Sequence, residues 1–256
     1  MRLKRYLKYN HSLEEIVENT ELINDIKCML MDGVALKVTH GISLDFLRYF
    51  KSKLKVDLND HSYNPRVFGC ENHRQVHWDH PSQIVPAKFL SWSYYPWNSD
   101  SKEIFTHLEK LFILRNLLGG LDKYEYLKKT DGIATARVAV QFYPSGLGYM
   151  ATHQDPLNVH QIAIPTILLS DYGKNYSNGG FFALDENNKK VSLDEHLSFG
   201  DLTLFHTSIP HGVELIKHAD IHRESNSIEN GRLMLIAAVN SYASSEVKYD
   251  ANVYKI

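Results

Sequence analysis

The sequence predicts an α+β protein: a double-stranded β-helix, that is, an antiparallel double-sheet jelly roll of the cupin type, with helices packed outside it. Two observations carry this. Up to about residue 132, apolar residues recur at helical spacing behind capping residues; from Ile133 onward they alternate in short runs separated by turn residues. Such a series of strands closes into two stacked sheets, and helices cover what remains apolar on the outside. The 256 residues, 43% of them hydrophobic, suffice for a substantial core. No internal repeat or low-complexity linker divides them. One domain over 1–256 is therefore expected, with a mostly helical N-terminal part and substrate lid over 1–132 and the jelly-roll core over 133–256.

Each element has a local reason. Ser12-Leu-Glu-Glu15 is a capping-box pattern ahead of Ile16, Val17, Leu22, Ile23 and Ile26, so a helix or helix pair is expected over 12–31. Ser43 caps a helix bearing Leu44, Phe46, Leu47, Phe50 and Leu54. A third helix starts near Ser101, carries Ile104, Phe105, Leu108, Leu111, Phe112 and Leu118, and is broken by Gly119-Gly120. Strands are expected over 136–143, 160–169, 180–184, 201–205, 212–216 and 232–241.

Composition narrows the function classes. The formal net charge of −2 argues against a nucleic-acid partner, which calls for a basic face. The two cysteines, Cys28 and Cys70, form no framework of bridges and read as free thiols. The segment Met1-Arg-Leu-Lys-Arg-Tyr-Leu-Lys8 is basic but is followed by no apolar core of signal-peptide length, and no run is long enough to span a membrane. A soluble, cytoplasmic protein without a membrane partner is expected.

The chemistry sits in His153-Gln154-Asp155 and, further on, His211-Gly212-Val213-Glu214. In an extended strand alternate side chains point the same way, so His153 and Asp155 face one cavity and Gln154 turns away. A third ligand must come from elsewhere. His211 suits this role: it follows the strand-like run 201–205 and a turn holding Pro210, and it opens the strand 212–216. His206 competes, but the apolar alternation of the strand it ends already accounts for it. Two histidines and a carboxylate occupy one face of an octahedral metal and leave three positions open, the ligand set of non-haem Fe(II) oxygenases.

These residues, with Phe142-Tyr143-Pro-Ser-Gly146 before the first ligand, Gly179-Gly180-Phe-Phe182 in mid-core, Gly200-Asp201-Leu-Thr-Leu-Phe205 before the distal histidine and Gly231-Arg232 opening the last strand, resemble the Fe(II)/2-oxoglutarate-dependent oxygenase superfamily. The resemblance covers roughly Arg137 to Tyr242. It implies a hydroxylase in which His153, Asp155 and His211 hold Fe(II), with 2-oxoglutarate as cosubstrate and O2 as oxidant. Arg232 is the group best shaped to hold the distal carboxylate of 2-oxoglutarate, because a guanidinium makes two parallel charge-assisted hydrogen bonds to it. Tyr143 is a further donor to the same carboxylate. Arg223 lies nearer His211 in sequence but in the polar stretch 217–230, which reads as a solvated loop. Members that halogenate have a small residue in place of the metal carboxylate; Asp155 occupies that place, which favours hydroxylation.

The substrate is less legible. The segments 72–80 and 89–97 are rich in imidazole, aromatic and basic groups and suit a lid. Arg74 and Arg137 are candidates to hold a substrate carboxylate, with surface or structural ion pairs as the plain alternative. Trp92 either lines the pocket or packs between helices and barrel. Asn240 and Tyr242 lie beyond Arg232 on the last strand, at the pocket mouth. No cysteine or other ordered ligand accompanies His73, His77 and His80, so a second metal site is not expected. The resemblance extends to small-molecule hydroxylases, including those acting on free amino acids, and a small-molecule substrate is expected; prolyl-hydroxylase-like action on a peptide and a non-catalytic metal-binding sensor are the alternatives.

Overall fold

A computed structural model describes residues 1–39, 41–59, 69–78, 85–127, 134–157, 160–218, 227–241 and 252–253. Its elements are β1 (Arg5–Tyr9), α1 (Leu13–Glu18), α2 (Thr20–Met31), β2 (Val34–Val38), α3 (Leu44–Lys53), β3 (His73–Trp78), β4 (Ala87–Tyr94), α4 (Lys102–Leu118), β5 (Ala134–Pro144), β6 (Tyr149–Gln154), β7 (Thr166–Leu168), β8 (Asn178–Leu184), β9 (Lys190–Ser192), β10 (Leu202–Leu204), β11 (His211–Lys217), β12 (Gly231–Ser241) and β13 (Asn252–Val253). The strands follow the order β1-β2-β10-β7-β12-β5-β4-β6-β11-β8-β9, with β3 added to β4 and β13 to β6. Two antiparallel runs, β10-β7-β12-β5 and β6-β11-β8-β9, form the two halves of a jelly roll, and β4 pairs with both β5 and β6.

Helix ends follow the capping chemistry. Ser12 and Glu15 form the reciprocal capping box of α1, and Asn19 then both ends α1 and caps α2 through Glu21 and Leu22. The 12–31 segment is thus a helix pair. Ser43 caps α3 through Phe46, and α4 stops at Gly119, ahead of Gly120 with φ +74°.

The first half is less helical than its periodicity suggested. It supplies β1 to β4, all of them joined to the same sheet. Strand β2 reads Val-Ala-Leu-Lys-Val, too short and too continuously apolar for its period to be told from the adjoining helix. The expected strand over 160–169 shrinks to β7 plus an isolated bridge at Ala163, because Pro165 lacks the ladder donor. Cys28 is exposed and Cys70 partly exposed, both free. Among the described residues no helix is long and apolar enough to cross a membrane.

The pleat of β5 and β12 sorts the two cores. These strands pair over their full length, Gly231 opposite Pro144 through Ser241 opposite Ala134. Ala136, Val138, Val140 and Phe142, with Leu233, Leu235 and Ala237, join the cluster that includes Leu108, Leu111 and Phe112 of α4. The alternate residues face the other way: Tyr143 and Met234 pack with Phe181, Ala183, Phe205 and Val213 of the opposite half. Phe112, 1% exposed in the helix-facing cluster, is the strongest single test of that layer. Replacing it with alanine should cost about 3–5 kcal/mol of unfolding free energy in denaturant melts.

Candidate metal centre

His153, near the end of β6, and His211, which opens β11, are direct partners across the β6–β11 ladder, so their side chains share a face. Their ring centroids lie 4.4 Å apart. Asp155 sits just past β6, its backbone N–H donating to Thr207 O at 3.1 Å. Its carboxylate oxygens lie 3.6 Å from His153 Nε2 and 3.2 Å from His211 Nε2. One ligand atom from each of the three residues falls within 4.8 Å of the others, and among the described residues this is the only such cluster of histidine, cysteine and acidic side chains. Gln154 donates instead to Ser208 O, away from the cluster.

The imidazoles are set for metal binding by their far nitrogens. His153 Nδ1 lies 3.0 Å from Ala151 O and His211 Nδ1 lies 2.8 Å from Ile209 O. A carbonyl only accepts, so each Nδ1 carries a proton, and it is Nε2, on the Asp155 side, that offers a lone pair when the ring is neutral. Phe205 and Phe181 meet the His211 ring edge-on at 4.7 and 5.7 Å and fix its plane. Gly212 is required here: a Cβ would lie 2.8 Å from Met150 O and 2.9 Å from the Phe182 ring. The side chains of His153 and His211 are 8% and 6% exposed but that of Asp155 is 23%, so the cluster opens on the carboxylate side. Burial opposes the Asp155 charge, yet the adjoining His211 and His153 outweigh it and hold the carboxyl well below the usual range. Burial likewise lowers the His153 pKa, and Asp155 overcomes it, leaving the pKa raised. His206, the competing donor, is absent from the cluster: Ser208 N donates to its Nδ1 at 3.2 Å.

Arg232 heads β12 at 1% exposure and points into the jelly-roll interior. Its partner is Asp194, 0% exposed, with Nε to Oδ2 at 2.5 Å and Nη2 to Oδ1 at 3.0 Å. Burial opposes the guanidinium charge and Asp194 overcomes this, so its pKa is raised. The rings of Tyr143 and Phe181 lie 5.9 and 5.4 Å from the guanidinium carbon. Tyr143 donates to Gln141 Oε1 at 2.7 Å, and burial pushes its hydroxyl pKa well up.

The remaining candidates divide by face. Arg137 donates to Asn240 Oδ1 at 2.6 Å and to Ser93 Oγ at 3.0 Å, on the interior face of β5, β12 and β4. Trp92 belongs to the helix-facing core, so it packs rather than lining the interior. Arg74 pairs in register with Trp92, shares that face, and bonds Asp57 O at 3.3 Å. For these two the pleat, invisible without the register, favours the packing and ion-pair alternatives over the pocket. His73 and His77 lie on the interior face of β3, His77 stacked on Phe89 at 4.2 Å and 3.0 Å from Ser91 Oγ. His80, Arg223 and Tyr242 lie outside the described residues. Sequence reasoning missed Gln141, Ser93 and Asp194. Alternation from Tyr143 and Trp92 points to the first two; nothing local marks Asp194.

Two measurements test the cluster. His153→Ala or Asp155→Ala should abolish stoichiometric Mn(II) or Fe(II) binding in anaerobic calorimetry, whereas His206→Ala should leave it intact. Because Asp155 raises the His153 pKa, protons compete with the metal: affinity should climb as pH rises through and above the ordinary histidine value of about 6.5, then level off.

No family model matches the chain, and no curated protein matches it in sequence. Solved structures do match in shape. A prolyl-4-hydroxylase from Pseudomonas putida is 12% identical with a TM-score of 0.50, covering 84% of this chain and 96% of its own. An oxidoreductase of the 2OG-Fe(II) oxygenase family from Burkholderia pseudomallei is 9% identical with a TM-score of 0.51, covering 93% and 95%. The chain therefore has the jelly-roll fold of 2OG-Fe(II) oxygenase structures, with a His-Asp-His group on the half formed by β6 and β11.

Proposed function

We propose that this protein is an Fe(II)- and 2-oxoglutarate-dependent dioxygenase that hydroxylates an unactivated C–H bond of a small polar molecule, a free amino acid or derivative. The observation that carries the reading is the convergence of His153 Nε2, His211 Nε2 and the Asp155 carboxylate, with both Nδ1 atoms turned onto backbone carbonyls. That donor set fits Fe(II), and it leaves open positions for a bidentate 2-oxo acid and for O2.

The residues also fit the cosubstrate. Beyond the Asp194 contact Arg232 Nη1 donates to Met234 Sδ and the Tyr143 hydroxyl to Gln141 Oε1; both would give up these partners to hold the distal carboxylate. When bound, the iron with 2-oxoglutarate and O2 supplies an oxidant that replaces C–H by C–OH, with succinate and CO2 released. The chain's part is to bind, orient and exclude water. Phe181, Phe205 and Val213 form an apolar wall beside the ligands. Arg137, Ser93 and Asn240 form a polar group further along the same interior face, suited to a substrate carboxylate. Ala139 and Gln141 on β5 and Ala238 and Ile236 on β12 lie between that group and Tyr143 and Met234 on the same face.

The reading is tested by succinate formation from 2-oxoglutarate in the Fe(II)-loaded protein, across free amino acids and short peptides. Stimulation by amino acids is expected. Stimulation by peptides alone replaces the small-molecule substrate with a peptide, and tight 2-oxoglutarate binding without turnover in any condition identifies a sensor. Arg232→Ala should weaken 2-oxoglutarate binding about a hundredfold, equivalent to ~2.7 kcal/mol, and excess cosubstrate should partly restore turnover. Arg137→Ala should raise the KM for substrate and leave 2-oxoglutarate affinity unchanged.

A further inference from the structure

We infer that Asp194 is a positioning residue for cosubstrate: it fixes the Arg232 guanidinium so that a single bidentate edge faces the site. This rests on Arg232 being the carboxylate clamp. A guanidinium offers two edges that can meet a carboxylate side by side, Nε with Nη2 and Nη1 with Nη2. Asp194 takes the first edge with both of its oxygens, at 2.5 and 3.0 Å. Rotation about the Cδ–Nε bond is thereby stopped, and the second edge, where Nη1 donates to Met234 Sδ beside the Tyr143 ring, is the one left for a ligand carboxylate, which would take the place of the sulfur.

The surroundings are built for Asp194 rather than merely tolerating it. The side chain is fully buried, and besides Arg232 it accepts from the Tyr176 hydroxyl at 2.7 Å and the Phe181 N–H at 2.8 Å. Gly180, at φ +101°, makes the room: a Cβ there would lie 2.4 Å from Asp194 Oδ2. The Gly179-Gly180 pair of the sequence thus serves the clamp, through a residue in a short turn far from Arg232 along the chain.

Charge and orientation predict opposite effects, which makes the inference sharp. Asp194 compensates the Arg232 charge, so removing it favours a dicarboxylate electrostatically. Removing it also releases the guanidinium, which disfavours one. Orientation is inferred to dominate. Wild-type, Asp194→Asn and Tyr176→Phe proteins, each loaded with Mn(II), are titrated by calorimetry with 2-oxoglutarate and separately with oxalate, which reaches the metal but has no distal carboxylate. The expected result is 2-oxoglutarate binding weakened at least tenfold by Asp194→Asn and a few-fold by Tyr176→Phe, with Mn(II) and oxalate affinities unchanged. Unchanged or tighter 2-oxoglutarate binding in Asp194→Asn, or in Tyr176→Phe should the former not fold, overturns the inference alone. So does an equal loss of oxalate affinity, which marks general distortion. A wild-type protein that binds Mn(II) and oxalate but not 2-oxoglutarate overturns the proposed function, and this inference with it.

Discussion

The pleat of the paired strands β5 and β12 divides the molecule into a helix-facing half and a chemical half. Along eleven residues each, side chains go alternately to the two sides. Valines, leucines and phenylalanine leave for the helix layer, and Arg137, Gln141, Tyr143, Arg232 and Asn240 share the interior. A one-residue slip would exchange the two sets and drive Arg232 into the apolar packing around α4. The hydrophobic demand of the helix layer therefore also keeps the interior polar groups in place.

On the opposite half, the ligands are fixed by pairing rather than by a loop. His153 and His211 are cross-strand partners, each with its Nδ1 tied to a carbonyl two residues before it. That i–2 contact sets the tautomer from the backbone, and for His211 the edge-on rings of Phe205 and Phe181 add to it in holding the plane. Asp155, one step beyond the strand, takes its position from the turn that follows Phe205, through Thr207. The three donors thus depend on two paired strands and one turn.

Much of this was legible in the chain. Ser12, Asn19 and Ser43 mark helix starts because capping is local, and His153, Asp155, His211 and Arg232 stand out because their types and order carry a known chemistry. What was not legible depended on contacts between distant residues. Strands β1 to β4 are short, and their partners lie elsewhere along the chain, so the helical spacing around them dominated the reading. Trp92 and Arg74 could not be assigned to a face until the register of β3 on β4 was known. Asp194 carries no local mark, since its meaning is a pair with a residue 38 positions away.

The two ends of the proposed site stand on different halves of the jelly roll: the histidines on β6 and β11, the guanidinium on β12. Their separation is therefore not written in any one segment but in the thickness of interior packing between the halves, where Phe181, Phe205, Val213, Tyr143 and Met234 meet. On the proposed function the two sheets would act as the jaws of a calliper, with a gap set by side-chain volume. Changing the apolar residues between them would then retune the length of diacid accepted, without altering a single polar group proposed to touch it.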